Sequence, residues 1–330
     1  MAVYYRLYYM SSEKLKIMMC PVSQSLYIDA LVKYLTKENV HVELIPRFNR
    51  TPYPFYKFLN ARIHGFPLLH LHWMPFNWFG IMKLVRKLSK SLDVKIVWTI
   101  HNLLPHNPRY GSFEKDKEAM RYMAEWADVG IVHSERTKEE FYEMFDVNLP
   151  LYVIPHGNFN EYVKIIPSEV ARNKLRITED KIVLFILSPD RWVKGIKTFI
   201  EVVNQLPTDY LGLIAGRCKD PEIKRYISNA IKKDPKKFIV DLRYLSSEEV
   251  SYYFGAADIF FMPYERITTS GSVMFALAHK KPIISTPQGN LYMLVKNGVN
   301  GYLCNTKEEM IERILSIDSQ YCQKNGGEEL

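Results

Sequence analysis

The chain lacks several features that would have decided its class at once. Its longest apolar runs, such as "KIVLFILSP" and "DIFFMP", are the length of a strand, well short of the roughly 18 to 20 residues needed to cross a bilayer. Its four cysteines, Cys20, Cys218, Cys304 and Cys322, are scattered and show no metal-ligand spacing. That excludes a disulfide scaffold or a zinc module and fits a reducing compartment. No G-x-G-x-x-G occurs anywhere, which removes the main support for a dinucleotide-binding oxidoreductase. The opening stretch "MAVYYRLYYMSSEKLK" has neither a continuous apolar core nor a small-residue cleavage site, so a secretory signal is not expected. The expectation is a cytoplasmic protein, with a peripheral place on the inner face of a membrane left open.

What is present is ample apolar material: 330 residues, 47% hydrophobic and 13% aromatic. That is enough for two cores. The net charge of +8 is local, because residues 1–100 hold 14 Lys and Arg against 5 Asp and Glu. Its densest part is "GIMKLVRKLSKSLD", where Ile81, Leu84, Val85, Leu88 and Leu92 recur at helical spacing between Lys83, Arg86, Lys87 and Lys90. Such a helix suits a solvated face first and an anionic lipid surface second. Nucleic acid ranks last, for want of any recognisable binding motif.

Strand-like and helix-like segments alternate along the chain, the pattern of parallel sheets with crossover helices. The first half predicts strands at "LKIMMCP", "VHVELIP", "LLHLHW", "KIVWTIH", "VGIVHS" and "LYVIPHG"; the second at "KIVLFILS", "YLGLIAG", "KFIVDLRYL", "DIFFMPY" and "KPIISTP". The weakly periodic stretch 156–181 reads as the connection. The fold class expected is α/β, two doubly wound Rossmann-like domains facing a central cleft, one spanning 1–165 and the other 166–330. Ligands in such sheets sit beyond the carboxyl ends of the strands.

Polar residues do gather at those ends. The turn holding Thr268, Thr269, Ser270, Gly271 and Ser272 opens an apolar helix, and unpaired N–H groups with hydroxyls at a helix start make an anion site as well as a cap. Arg191 and Lys194 lie in another strand-to-helix loop, where two cations suit a pyrophosphate. In the first half, His70, His72, His101, His106 and His156 fall at strand ends among Trp and Asn. Aromatic rings with hydrogen-bonding neighbours suit a carbohydrate. His70 and His72 share a strand face but lack a third ligand at a diagnostic spacing, so no metal is expected.

The segments "HLHW", "VWTIHNLLPH", "VIPHG", "RWVKG", "AGR", "AADIFFMPY", "TSGSVMFALAHKKPIIS" and "VKNGVNGYLC" together resemble GT-B glycosyltransferases of the broad group that includes the retaining family-four enzymes. Within that group the chain looks most similar to glycolipid-directed GDP-mannose β-mannosyltransferases. The resemblance implies that Arg191 and Lys194 contact the diphosphate of a nucleotide sugar, GDP-mannose or a UDP-sugar, used as substrate with no separate cofactor. The N–H groups around Thr269, Ser270, Gly271 and Ser272 would close over the same phosphates. Gly216, Arg217 and Glu265 would lie near the nucleotide. His101 would lie against the donor sugar. The loop carrying Ser23 and Gln24, with His72, Trp73, Asn102 and His156, would face the sugar or a lipid-linked saccharide or glycan acceptor. The basic first domain would contact an anionic membrane.

Two departures stand out. The family pattern places glutamates eight positions apart in this region, and the equivalent positions here are Ile267 and Phe275. The Gly-rich first loop is replaced by "PVSQS". The chemistry expected is departure of a nucleoside diphosphate through an oxocarbenium-like transition state, stabilised without a metal. An inverting route needs a base, for which His101 and His106 are the candidates, whereas a front-face retaining route lets the departing phosphate take the proton. A nucleotide or sugar binder without turnover and a nucleotide-sugar epimerase on the same fold remain the alternatives.

Overall fold

A computed structural model describes residues 14–21, 26–74, 79–104 and 112–324, with the side chains of 318–324 left aside. The chain divides into two compact units, Met1–Gly157 and Asn158–Leu330. The first is a six-stranded parallel sheet of β1 (Lys16–Cys20), β2 (His41–Leu44), β3 (Leu68–His72), β4 (Lys95–Thr99), β5 (Val129–Val132) and β6 (Leu151–Val153), in the order β2-β1-β3-β4-β5-β6. The second repeats the plan with β7 (Ile182–Leu187), β8 (Tyr210–Ala215), β9 (Phe238–Asp241), β10 (Ile259–Met262), β11 (Ile283–Ser285) and β12 (Gly301–Leu303), ordered β12-β11-β10-β7-β8-β9. This is the pair of doubly wound Rossmann-like domains that the alternation predicts. The strand order reverses beside β1 and β3 in one unit and beside β7 and β10 in the other, which places each crevice at the carboxyl ends of those strands.

Two-residue alternation sends neighbouring strand residues to opposite faces. Met18 and Cys20 join Phe58, Met82, Met120 and Phe141 from four helices on one face, while Ile17 and Met19 pack with Ile28 and Leu35 of the helix Leu26–Lys37 on the other. Each unit also repeats one polar staple. Asp128 Oδ2 accepts from the Ile96 N–H (2.8 Å) ahead of β5, and Asp258 Oδ2 accepts from the Val183 N–H (2.7 Å) ahead of β10.

The stretch read as a connection is partly structural. The division falls after Gly157 rather than near 165, because the following residues pack on the second unit. Phe159 meets Phe275 with ring centroids 5.0 Å apart, and the Lys164 N–H donates to Ser251 Oγ (3.3 Å). Residues Ser168–Leu175 then form a helix whose buried Arg172 donates to Asp258 Oδ2 (2.7 Å) and to the carbonyls of Thr178 and Glu179. Asp258→Ala would leave both Arg172 and the Val183 N–H short of an acceptor. A loss of about 2 kcal/mol is expected, at the low end for a broken buried pair because Asp258 is partly exposed. Urea denaturation measures it, and an unchanged midpoint would show that the staple is dispensable.

Candidate functional site

In the second unit the candidate phosphate residues leave the two strands that flank the reversal point. After β7 the backbone turns through Ser188, at φ 49°. Lys194 Nζ reaches back to donate to the Ser188 carbonyl (2.6 Å) and lies 3.0 Å from Asp190 Oδ1. Burial pulls the Lys194 pKa below the ordinary lysine value, with Asp190 opposing; Asp190, although burial works against its charge, is held below the usual carboxylate value by Lys194 and Arg191. Arg191 Nε is buried without a hydrogen-bond partner and sits 3.5 Å from Asp190 Oδ1.

This loop is locked to the one leaving β10. Val193 O accepts from the Glu265 N–H (2.9 Å), and Gly195 is left-handed at φ 81°, so close that a Cβ there would stand 1.8 Å from Pro263 O. Only glycine fits that junction. Buried Tyr264 carries the contact onward, its hydroxyl 2.5 Å from Ser270 Oγ. Burial raises the Tyr264 pKa, with Ser270, Arg191 and Ser272 opposing. Ser270 caps the helix Gly271–Ala278 by accepting from the Val273 N–H (3.3 Å), so its hydroxyl has a structural task. The helix start remains approachable: Gly271 is exposed, with nothing within 4 Å of a Cβ built on it, and Ser272 is half-buried.

The structure therefore brings Arg191, Lys194, Ser270, Gly271 and Ser272 into one assembly. Gly216 joins through Ser188, whose Oγ would be 2.4 Å from its Cβ. Glu265 takes part through its backbone while its side chain is exposed, as is that of Arg217; Thr269 is half-buried. Ser188, Asp190 and Tyr264 were missed in the sequence reading. Asp190 was findable, standing four residues before Lys194. Phe275 packs at a tilt against Phe159 and stacks with Phe254, and Ile267 packs on the core, so neither position offers a carboxylate.

In the first unit, Tyr27 stands at the centre of a fan of imidazoles. Its ring centroid is 4.8 Å from His101, 4.9 Å from His156, 5.6 Å from His72 and 5.8 Å from His133. His72 Nδ1 and His101 Nε2 are 3.3 Å apart, and His70 Nε2 is 2.7 Å from Thr99 Oγ1. Trp73, left-handed at φ 55°, stacks on His101 at 4.2 Å, held there by the Trp98 indole N–H, which donates to its carbonyl (2.7 Å). Burial lowers the pKa of all five histidines, to about 3 for His70 and about 4 for His133, and well below the ordinary value for His72 and His101. All five are neutral at pH 7. Asn102 follows His101 and is half-buried. His106, Ser23 and Gln24 lie outside the described residues. Among the described residues, no group of three or more His, Cys, Asp or Glu is placed to hold a metal ion.

Residues 180–319 match the family described as "Glycosyl transferases group 1", and residues 32–157 match "Glycosyltransferase Family 4". Among curated proteins the chain is similar to a probable sucrose-phosphate synthase of Thermosipho melanesiensis, 30% identical over 62% of this chain and 49% of the relative. It is also similar to the alpha-monoglucosyldiacylglycerol synthase of Acholeplasma laidlawii, 25% identical over 45% and 38%. The chain thus spans half or less of those relatives' length. Among solved structures it is similar to the sucrose-phosphate synthase of Thermosynechococcus elongatus (TM-score 0.74, 18% identity, 93% of this chain and 90% of that one). The Anabaena protein HepE in complex with UDP-glucose is also similar (TM-score 0.70, 16% identity, 94% and 90%). The two family matches fall one on each unit, and the fold is the GT-B architecture of the glycosyltransferase structures it resembles.

Proposed function

We propose that the chain moves a hexosyl group from a nucleoside-diphosphate sugar to a lipid-linked saccharide or glycan acceptor, using its second unit to hold the donor. One observation carries this reading: the Val193–Glu265 backbone bond joins the loop of Arg191 and Lys194 to the open helix start at Ser270–Ser272. Charge builds on the departing diphosphate, and two cations with a helix N-terminus are what stabilise it. No metal is required by that arrangement. The sequence reading favours GDP-mannose. The UDP-glucose bound by HepE and the glucosyl transfer in the name of one curated relative favour UDP-glucose instead, which we place first.

The same reading bears on the proton. His101 is neutral and buried, with its pKa well below the ordinary value, which makes it a weak base. That favours the retaining route in which the departing phosphate takes the acceptor's proton. The missing carboxylates at Ile267 and Phe275 support a second reading, a nucleotide binder without turnover. Release of UDP from UDP-glucose, measured with and without a glycolipid acceptor such as a monoglycosyldiacylglycerol, separates the two. Acceptor-dependent release is expected, and binding with no release under any acceptor would favour the second.

A further inference from the structure

His101 is held from several sides within the first unit. Trp73 covers one face of its ring at 4.2 Å, Tyr27 meets it edge-on with the two planes at 87°, and its Nε2 lies 3.3 Å from His72 Nδ1. His72 in turn cannot swing away. The ring centroids of His70 and Tyr27 stand 4.1 Å and 5.6 Å from its own, His70 Nε2 is 2.7 Å from Thr99 Oγ1, and the Tyr27 hydroxyl is hydrogen-bonded to the same threonine. His72 is wholly buried, and His70, Thr99 and His101 nearly so. Burial holds His72 and His101 well below the ordinary histidine value, so both are neutral at pH 7. A hydrogen bond between two neutral imidazoles needs one proton, carried by one ring or the other. The far side of His72 decides which. Its Nε2 is buried with no hydrogen-bond partner among the described residues. Were the shared proton on His101, His72 would carry its own on Nε2, a buried N–H with no acceptor. With the proton on His72 Nδ1, Nε2 is only a bare lone pair. Orphaned buried N–H groups are the rarer of the two states.

We propose that His72 is a positioning residue: it donates from Nδ1 to His101 Nε2 and thereby keeps the His101 proton on Nδ1. His101 then offers a bound sugar an N–H donor while its one lone pair is occupied. This assignment rests on the donor reading above and deepens it. A ring without a spare lone pair cannot take the acceptor's proton, which is a chemical reason for leaving that proton to the departing phosphate. It also gives a shared task to two residues adjacent in the chain. Trp73, left-handed at φ 55°, lies over the face of the imidazole, and His72 holds its edge.

Nitrogen NMR of the full chain with isotope-labelled histidines tests this directly, the His101 signals being assigned by their loss in His101→Gln. In the wild type, Nε2 of His101 is expected to resonate as an unprotonated nitrogen and Nδ1 as a protonated one. His72→Phe keeps a ring without a donor and should move the Nε2 signal toward the protonated range. His72→Asn keeps an N–H close to where Nδ1 stands and should restore the wild-type shifts. In turnover of UDP-glucose, His72→Phe should lower kcat about tenfold and His72→Asn should recover most of that loss. The thermal shift with UDP-glucose should stay unchanged in both. A His101 proton on Nε2 in the wild type, or signals that His72→Phe leaves in place, would overturn the proposal. So would equal losses of kcat in the two variants, the result of a merely structural role. If His72→Phe does not fold, the wild-type signals decide. A wild type with the expected signals that binds no UDP-glucose overturns the donor reading alone.

Discussion

Lys194→Ala should lower kcat with UDP-glucose at least about tenfold, Arg191→Ala by a similar factor, and the pair by roughly a hundredfold, close to 2.7 kcal/mol of transition-state stabilisation. The effect is electrostatic. Both cations share one carboxylate, Asp190, which leaves the pair with net positive charge where the helix of Ser270–Ser272 begins. Negative charge on the departing diphosphate grows toward the transition state, so the cations act more strongly there than on the bound donor. The loss should therefore fall on kcat as well as on donor affinity, so that kcat/KM drops by more than kcat does. A raised KM with kcat intact would mean that the cations only dock the donor, and wild-type kinetics in both variants would remove the phosphate assignment. Because Lys194 also donates to the Ser188 carbonyl, thermal melting of each variant is needed to show that the fold is retained.

The second large effect is acid sensitivity of the first unit. The buried histidines titrate below their ordinary value when folded, so the unfolded chain takes up protons that the folded chain refuses. Stability contributed by neutral imidazoles is therefore present above about pH 6.5 and is lost as pH falls toward about 4 for His133 and about 3 for His70. At pH 5 each of these two, both almost wholly buried, costs about 2 kcal/mol relative to neutral pH. His72 and His101 shift in the same direction and add to it. Carboxylates with lowered values, such as Asp190 and Glu249, lose their contribution at still lower pH and do not confuse the window. Urea midpoints at pH 7.5 and pH 5, followed by tryptophan fluorescence, check this. Equal midpoints would mean that the histidines are solvated or paired in a way that tolerates charge.

Much of the fold was legible because parallel strands buried on both faces read as short, nearly continuous apolar runs. "KIVLFILS" became β7 and "YLGLIAG" became β8 with ends displaced by a residue or so. Some elements escaped, for separate reasons. β12 opens on Gly301 and offers only Tyr302 and Leu303 as apolar signal, whereas β6 and β11, equally short, sit in longer apolar runs. The helix Tyr53–Ile63 leaves apolar residues on its wet side, which blurs the periodicity that marks an amphipathic helix. The helix Ser168–Leu175 is short, and buried Arg172 breaks its apolar stripe; its reason to exist is Asp258, 86 residues away.

The candidate site was legible to the extent that its groups have distinctive chemistry. Arg191, Lys194 and the hydroxyl-rich turn announce themselves as an anion site, and the histidines fall at strand ends where the alternation puts them. What joins them was not legible, because it is made of ordinary residues acting over distance. Val193 and Glu265 meet through backbone atoms, Tyr264 looks like core until its hydroxyl finds Ser270, and Tyr27 organises the histidines from a helix that reads as simply amphipathic.

The central claim is that the loop of Arg191 and Lys194, together with the turn at Ser270–Ser272, holds the diphosphate of a nucleotide sugar. Calorimetric titration of UDP-glucose, and in parallel GDP-mannose, into the wild-type chain and into folded Lys194→Ala tests it most directly. Saturable binding of one nucleotide sugar to the wild type, weakened at least about tenfold in the variant, is the result expected. Equal affinity in the two proteins, or no binding of either compound to the wild type, would contradict it.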